Sequence, residues 1–241
     1  MCFTIEVHLS RRAIEKRFAV DTSALYDFDF HYFYKAFSNP MIPVIPQQDP
    51  GKAQLMQWGL IPSWVRDRAQ GEKIRSGTYN ARSESLHEKP SFREPLRNGR
   101  CLVIAHGYYE WQQIDGKKIP WYIRLKSDRP FVFAGLYDRW KDPEEGGSHL
   151  TFSIITTAAN PLLEKIHNTK LRMPVILPEE LEKEWVNDKI TLHQAKELLV
   201  AIDEGLLQAH TVTPALSGAE SHPDDPGLVI PYDHPVSGNL F

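Results

Sequence analysis

A cysteine at position 2, directly after Met1, is the residue best placed to do chemistry in this chain. Loss of Met1 would leave an α-amine and a thiol on adjacent carbons. Such a 1,2-aminothiol condenses with an aldehyde to a Schiff base, and closure by sulfur gives a five-membered thiazolidine. The unperturbed pKa values of the two groups, about 7.7–8.0 and about 8.5, leave both usable near neutrality. Routine methionine removal with no further chemistry explains a lone Cys2 equally well, so the choice rests on what else the chain carries.

Four other features bear on it. Glu110 lies in G-Y-Y-E-W, after an apolar strand and among aromatics. Desolvation there would raise its pKa toward neutrality and suit it to acid–base work, unless it is a solvent-facing residue of a half-buried strand. In Y-N-A-R-S-E (79–84), Asn80 could orient a carbonyl or imine and Arg82 could grip a phosphate with two N–H groups. The alternative is a turn in which Arg82 and Glu84 form a surface pair. His167 stands at the end of a predicted helix, five residues before Arg172-Met173-Pro174, and His106 competes with it for a role. Trp58 and Trp64 flank W-G-L-I-P-S-W, a loop by its Gly and Pro beside a basic stretch, where they could stack on bases or serve as core. No Cys/His pair has zinc spacing, and neither a Gly-rich phosphate loop nor a G-x-S-x-G elbow occurs, so no metal or cofactor is expected.

The elements that must hold these residues follow from pattern. The chain has 241 residues, 41% hydrophobic and 24% charged, enough for one large domain with a substantial core. Ser10 predicts a helix cap with the helix running to about Val20. Tyr26 to Phe37 reads as irregular, Pro40, Pro43 and Pro46 as breakers of regular structure, and Ala53 to Trp58 as a strand. From Cys101 to Thr157 the runs C-L-V-I-A, Y-Y-E-W-Q, W-Y-I-R-L, F-V-F-A-G-L and L-T-F-S-I-I-T predict strands, with Asp115-Gly116 as a hairpin turn. Helices are expected at 161–166, 178–186 and 192–202, around a strand at Met173 to Leu177. Strands joined by tight turns, with helices before and after, predict an α+β fold with a mainly antiparallel sheet. From about Ser217 the chain reads as an irregular tail rich in Gly, Pro, Asp and His.

A formal net charge of −3 argues against a uniformly basic nucleic-acid binder, but the charge is uneven. Residues 61–100 carry nine Lys/Arg against five Asp/Glu, a local excess of four, which leaves room for a basic groove. No stretch approaches the roughly 18 apolar residues of a membrane span, and the N-terminus lacks a basic region followed by an apolar run, which predicts an intracellular, cytoplasmic protein. Cys101 opens an apolar run and reads as a small buried hydrophobe.

Taken in order, Cys2 after Met1, W-G-L-I-P-S-W, N-A-R-S-E, G-Y-Y-E-W and R-M-P-V-I-L resemble the SOS response-associated peptidase family. The resemblance implies one domain over 1–241 with a partly barrel-like β core surrounded by helices. It further implies a sensor of abasic sites in single-stranded DNA that loses Met1 by self-processing and captures the sugar aldehyde on Cys2 as a thiazolidine, with no obligate protein partner. On that basis Cys2 is the nucleophile, Asn80 the amide that positions the imine, and Glu110 the acid–base. His167 is the active-site histidine, Arg82 and Arg172 hold phosphates, and Trp58 and Trp64 meet bases.

The chain departs from the family's common pattern twice. Phe3 and Thr4 stand where Gly-Arg is usual, which predicts a phosphate contact that is weakened or supplied by another basic residue. Four residues separate His167 from Arg172, so a short insertion must carry His167 into the site, with Leu171 as the alternative occupant of its position. Two other functions fit the residues: an N-terminal-nucleophile cysteine hydrolase acting on peptides or amides, and a noncovalent single-stranded DNA-binding module.

Overall fold

The computed structural model describes residues 2–144, 146–218 and 221–235. In chain order its strands are β1 (Thr4–Glu6), β2 (Tyr34–Lys35), β3 (Met41–Pro46), β4 (Gln54–Trp58), β5 (Asn80–Arg82), β6 (Arg100–Ala105), β7 (Gly107–Ile114), β8 (Lys117–Leu125), β9 (Phe131–Lys141), β10 (Ser148–Ala158), β11 (Arg172–Pro174) and β12 (Leu207–Thr211). The α-helices are α1 (Arg11–Phe18), α2 (Arg68–Arg75), α3 (Pro90–Arg93), α4 (Pro95–Asn98), α5 (Pro161–Ile166), α6 (Glu179–Trp185) and α7 (Leu192–Glu197).

The strands form two sheets. In one, the order β10-β4-β3-β6-β9 closes on itself because β9 also pairs with β10, from Lys141↔Ser148 to Gly135↔Ile154, and the five strands make a barrel. Alternation along its strands explains the composition. In β6, Cys101, Val103 and Ala105 face the core that also holds Trp58, Phe133 and Phe152, while Leu102 and Ile104 face a second core under Trp185 and Leu199 of the helical layer. Both faces are buried, so the strand reads as an unbroken apolar run. The second sheet, β12-β8-β7-β1-β2, is antiparallel throughout. It departs from the barrel at Gly107, where a Cβ would come within 2.3 Å of the Tyr122 ring. The fold is thus α+β, mainly antiparallel, with a barrel and helices around it.

Local signals account for most element ends. Ser10 Oγ accepts from Ala13 N at 3.1 Å to start α1, and Ala19 in the left-handed region ends it. Asp115 and Gly116 both have positive φ, as a type I′ turn between β7 and β8 requires. The expectation that Pro40 to Pro46 breaks regular structure is corrected: Met41–Pro46 is β3, between β4 and β6. Each proline within it has a ladder on one side. Pro43 pairs with Leu55 before the β6 ladder begins at Val44, and Pro46 pairs with Cys101 after the β4 ladder has ended. The missing N–H therefore need not interrupt both ladders. The segment read as irregular contains the short strand β2, and α7 stops at Glu197, short of the predicted Ile202.

β4 and β5 lie end to end along β10, both parallel to it. Gly59 N donates to Phe152 O at 2.9 Å and Ile154 N donates to Tyr79 O at 3.1 Å, so the intervening segment, with α2 and Trp64, leaves and re-enters the barrel two residues apart on one strand. The tail after 217 is irregular apart from a 3-10 turn at Pro226–Val229, and residues 219–220 and 236–241 lie outside the described residues. Among the described residues no helix is long and apolar enough to cross a membrane.

Candidate active site

β1 brings Cys2 to Glu110. The register Thr4↔Tyr109 and Ile5↔Tyr108 runs the chain back from Thr4 toward the Glu110 end of β7. On β7, Tyr108 and Glu110 share one face, and Tyr109 packs on the other against Tyr122 and Leu216. Cys2 is wholly buried, and Glu110 is 3% exposed. Burial pushes the Cys2 thiol well above its ordinary pKa, and the Glu110 carboxylate adds in the same direction. Burial likewise raises Glu110 above the usual carboxylate range, with His167 opposing it. Cys2 and Cys101 are both buried free thiols, Cys101 as the core residue expected from sequence.

Asn80 opens β5 beside Ile154 of β10, and its Nδ2 donates to the Cys2 carbonyl at 2.9 Å. Its Oδ1 is buried with no hydrogen-bond partner. The amide therefore fixes the nucleophile's backbone and holds a spare acceptor beside it.

His167 ends α5, which Asn160 caps by accepting from Leu163 N at 2.9 Å. Its Nε2 lies 3.9 Å from Glu110 Oε2 and its Nδ1 lies 2.8 Å from the Arg172 carbonyl. A carbonyl only accepts, so Nδ1 carries a proton, and Nε2 is the ring atom that faces Glu110. Gln112 Nε2 donates to Lys165 O at 3.0 Å and Asn168 Nδ2 to Gln113 O at 2.9 Å, tying the end of α5 to β7. The four residues between His167 and Arg172 turn tightly: Leu171 has φ 51° and its N–H donates to His167 O at 3.0 Å. This turn keeps His167 against Glu110, while Leu171 is half exposed. His106 sits at the far end of β1, its Nδ1 3.4 Å from Glu6 Oε1.

Two clefts meet at Phe3. One, of about 540 Å³, is lined by Phe3, Lys35, Glu110, Lys118, His167 and Lys170. The other, of about 450 Å³, is lined by Phe3, Tyr79, Asn80, Arg82 and Lys89. Glu110 is the one carboxylate among these described lining residues, so the groove is cationic in a chain of net charge −3. The larger cavity of about 940 Å³ between Arg17, Glu182 and Asn187 contains none of the candidate residues.

The remaining candidates divide. Arg82 is exposed in the second cleft. Arg172 makes a bidentate pair with Glu84, at 2.7 and 3.0 Å, and donates to Thr156 O at 2.7 Å, so its guanidinium is already engaged. Trp64 is 45% exposed. Trp58 is corrected: it is fully buried, donates from Nε1 to Tyr79 O at 2.9 Å and stacks on Phe152, so it has no face to offer a base. Lys35, Lys118, Lys170, Phe37 and Tyr79 were not singled out from sequence. Lys35 and Lys118 reach the site through strand pairing, Phe37 through the 3-10 turn after β2, Tyr79 just before β5 and Lys170 through the turn after α5; a lone lysine carries no signal for any of these.

The sequence model described as SOS response associated peptidase (SRAP) matches residues 1–218. The chain is 42% identical over 197 residues to "Abasic site processing protein YoqW" of Bacillus subtilis (strain 168), covering 80% of this chain and 84% of that protein. It is 30% identical over 207 residues to "Abasic site processing protein HMCES" of Rattus norvegicus, covering 74% of this chain and 56% of that one. An X-ray structure of a protein from Bacteroides thetaiotaomicron superposes with a TM-score of 0.92 at 36% identity, covering 96% of this chain and 100% of the other.

Proposed function

Because the chain belongs to the SOS response-associated peptidase family, we propose that it processes abasic sites in DNA, capturing the ring-opened sugar aldehyde in single strands on the amine and thiol of Cys2 once Met1 is gone. The observation that carries this reading is the Asn80 Nδ2 contact of 2.9 Å on the Cys2 carbonyl, which holds the nucleophile's backbone at the edge of a cationic groove.

The steps balance without a cofactor. The Cys2 amine adds to the aldehyde carbon, and the carbinolamine loses water to give an imine. The departing hydroxyl needs a proton, which Glu110 supplies, its carboxyl held above the usual carboxylate range by burial. The buried thiol enters as S–H, adds to the imine carbon and leaves its proton on nitrogen through the same carboxyl group. The net change is one new C–N bond, one new C–S bond and one water released. His167, its tautomer set by the Arg172 carbonyl, exchanges a proton with Glu110 between steps. Holding the aldehyde beside the amine makes the condensation effectively unimolecular. During self-processing the same carboxyl group, as base, takes a proton from a water that adds to the Met1 carbonyl and passes it to the departing Cys2 nitrogen, leaving methionine as the free acid; Met1 itself lies outside the described residues.

Arg82 and Lys89 hold phosphates on one side of Phe3, and Trp64 offers a base-stacking face. Phosphate binding by Arg172 entails exchange of Glu84 for phosphate, and it is the backbone carbonyl of Arg172 that holds His167. The whole of 1–241 acts as one domain in the cytoplasm, needing only DNA as partner.

The test is a denaturing gel. Protein of known N-terminal mass is incubated with a single strand bearing one abasic site, beside an intact strand and a Cys2→Ala control. A shifted band that needs the lesion, the free Cys2 amine and the thiol is expected. The same band from Cys2→Ala, or none from fully Met1-processed protein, would overturn the assignment.

A further inference from the structure

Phe37 is 67% exposed, yet its ring is stacked on Phe3 with centroids 4.9 Å apart and meets the edge of Tyr79 at 5.4 Å. Its backbone is fixed from both sides. Ala36 N donates to Phe3 O at 2.8 Å, Asn39 N donates to Ala36 O at 2.9 Å across the 3-10 turn Ala36–Ser38, and Tyr79 OH donates to Asn39 Oδ1 at 2.9 Å. A large ring is thus supported beneath by two others and presented to solvent on the lip of the Glu110–His167 cleft, one residue past Ala36, which bonds the backbone of Cys2's neighbour Phe3. Lys35, Lys118 and Lys170 line that cleft, with Arg82 and Lys89 beyond Phe3.

A flat apolar face within a cationic rim suits a ligand that is itself flat and carries negative charge alongside. Resting on the reading above, we infer that Phe37 is a stacking platform for the nucleobase next to the captured sugar. An abasic site interrupts the stack of a strand and leaves the flanking base with one uncovered face. Phe37, backed by Phe3, fills the place of the missing base, and the lysines beside it take the phosphates. The platform also favours the lesion over an intact nucleotide, whose own base would compete for the same space.

The experiment measures noncovalent affinity by fluorescence anisotropy, on labelled single strands carrying tetrahydrofuran at the lesion position. The neighbouring position on each side holds either a base or a second tetrahydrofuran. For the Met1-processed protein, removing the base on one side weakens binding about tenfold, within the range for a base stacked on an aromatic ring. Phe37→Ala weakens binding by a similar factor when that base is present and suffers no further loss when it is absent, whereas Phe37→Trp retains the wild-type pattern. Phe37→Leu keeps bulk but loses the flat face, and behaves as Phe37→Ala does. Wild-type affinity in Phe37→Ala, or losses that simply add, overturns the inference. Tetrahydrofuran offers no aldehyde, so this assay reads binding alone, and a failure of covalent capture is read separately from a failure of stacking.

Discussion

Replacing Asn80 by alanine should separate positioning from folding. The substitution removes the 2.9 Å bond to the Cys2 carbonyl and leaves that oxygen short of a donor, a loss of about 1–3 kcal/mol for a buried group. It also removes Oδ1, a buried acceptor with no partner, whose desolvation cost of about 1–3 kcal/mol disappears with it. The two effects oppose each other, so stability should change by no more than about 2 kcal/mol, or about 4–8 °C in Tm at the limit for a chain of this size. Catalysis has no such compensation. Freed from Asn80, the Cys2 backbone can shift by a fraction of an ångström to an ångström, and misplacement of that size costs up to about 100-fold. The assay pairs thermal denaturation with single-turnover capture of abasic single strands at saturating DNA, using protein confirmed by mass to have lost Met1. A 10- to 100-fold slower capture with Tm inside that limit is expected. Capture at the wild-type rate would refute the positioning role, and a rate loss accompanied by a Tm fall beyond about 8 °C would show that Asn80 acts on the fold instead.

Three further outcomes follow from the site. Glu110 is raised by burial, so the folded protein binds its proton more tightly than the unfolded chain does, and stability is lost as pH rises from about 4.5 through the raised value. Glu110→Gln should therefore gain Tm relative to wild type as pH increases, with the difference vanishing at acid pH, while capture falls about 10²- to 10⁴-fold; a Tm difference that does not vary with pH would contradict this. Trp58→Ala should cost about 3–5 kcal/mol in denaturant titration, whereas Trp64→Ala should stay within about 0.5 kcal/mol and weaken single-strand binding, and a reversal of the two would contradict the burial assignments. Arg82→Ala should reduce the slope of log affinity against log salt by about 0.7, and an unchanged slope would remove Arg82 from the phosphate contacts.

Some residues were legible as chemistry and others only as composition. Glu110 among aromatics on an apolar strand signalled desolvation, and the structure buries it; the Asp115-Gly116 turn and the Ser10 cap are local codes that fold as written. Trp58 and Trp64 flank one Gly/Pro loop and look equivalent in sequence, but only Trp58 ends a strand whose inner face is core. Strand period depends on where pairing begins, and that is set by β3 just upstream and by β10, which lies far away in sequence. β3 was hidden for a related reason, since prolines read as breakers until it is known which side of each lacks a ladder. Phe37, Lys35 and Lys118 carry no local signal, because what assembles them is the pairing of Thr4 with Lys35 and of β7 with β8, and Lys170 arrives by the turn after His167.

The placement of β4 and β5 end to end on β10 has a consequence for how such a protein can change. The segment from Gly59 to Tyr79 leaves and returns at neighbouring points of one strand, so its length enters stability only through the slow logarithm of loop closure. It behaves as a cassette plugged into a fixed socket. The exposed Trp64 and the outer face of α2 can vary while Ile61, Val65 and Ile74 stay packed on Trp140 and Asn80, at the downstream edge of the socket, keeps its seat beside Ile154. The outer surface of this segment is thereby free to vary while the strands that seat Asn80 and Glu110 stay as they are.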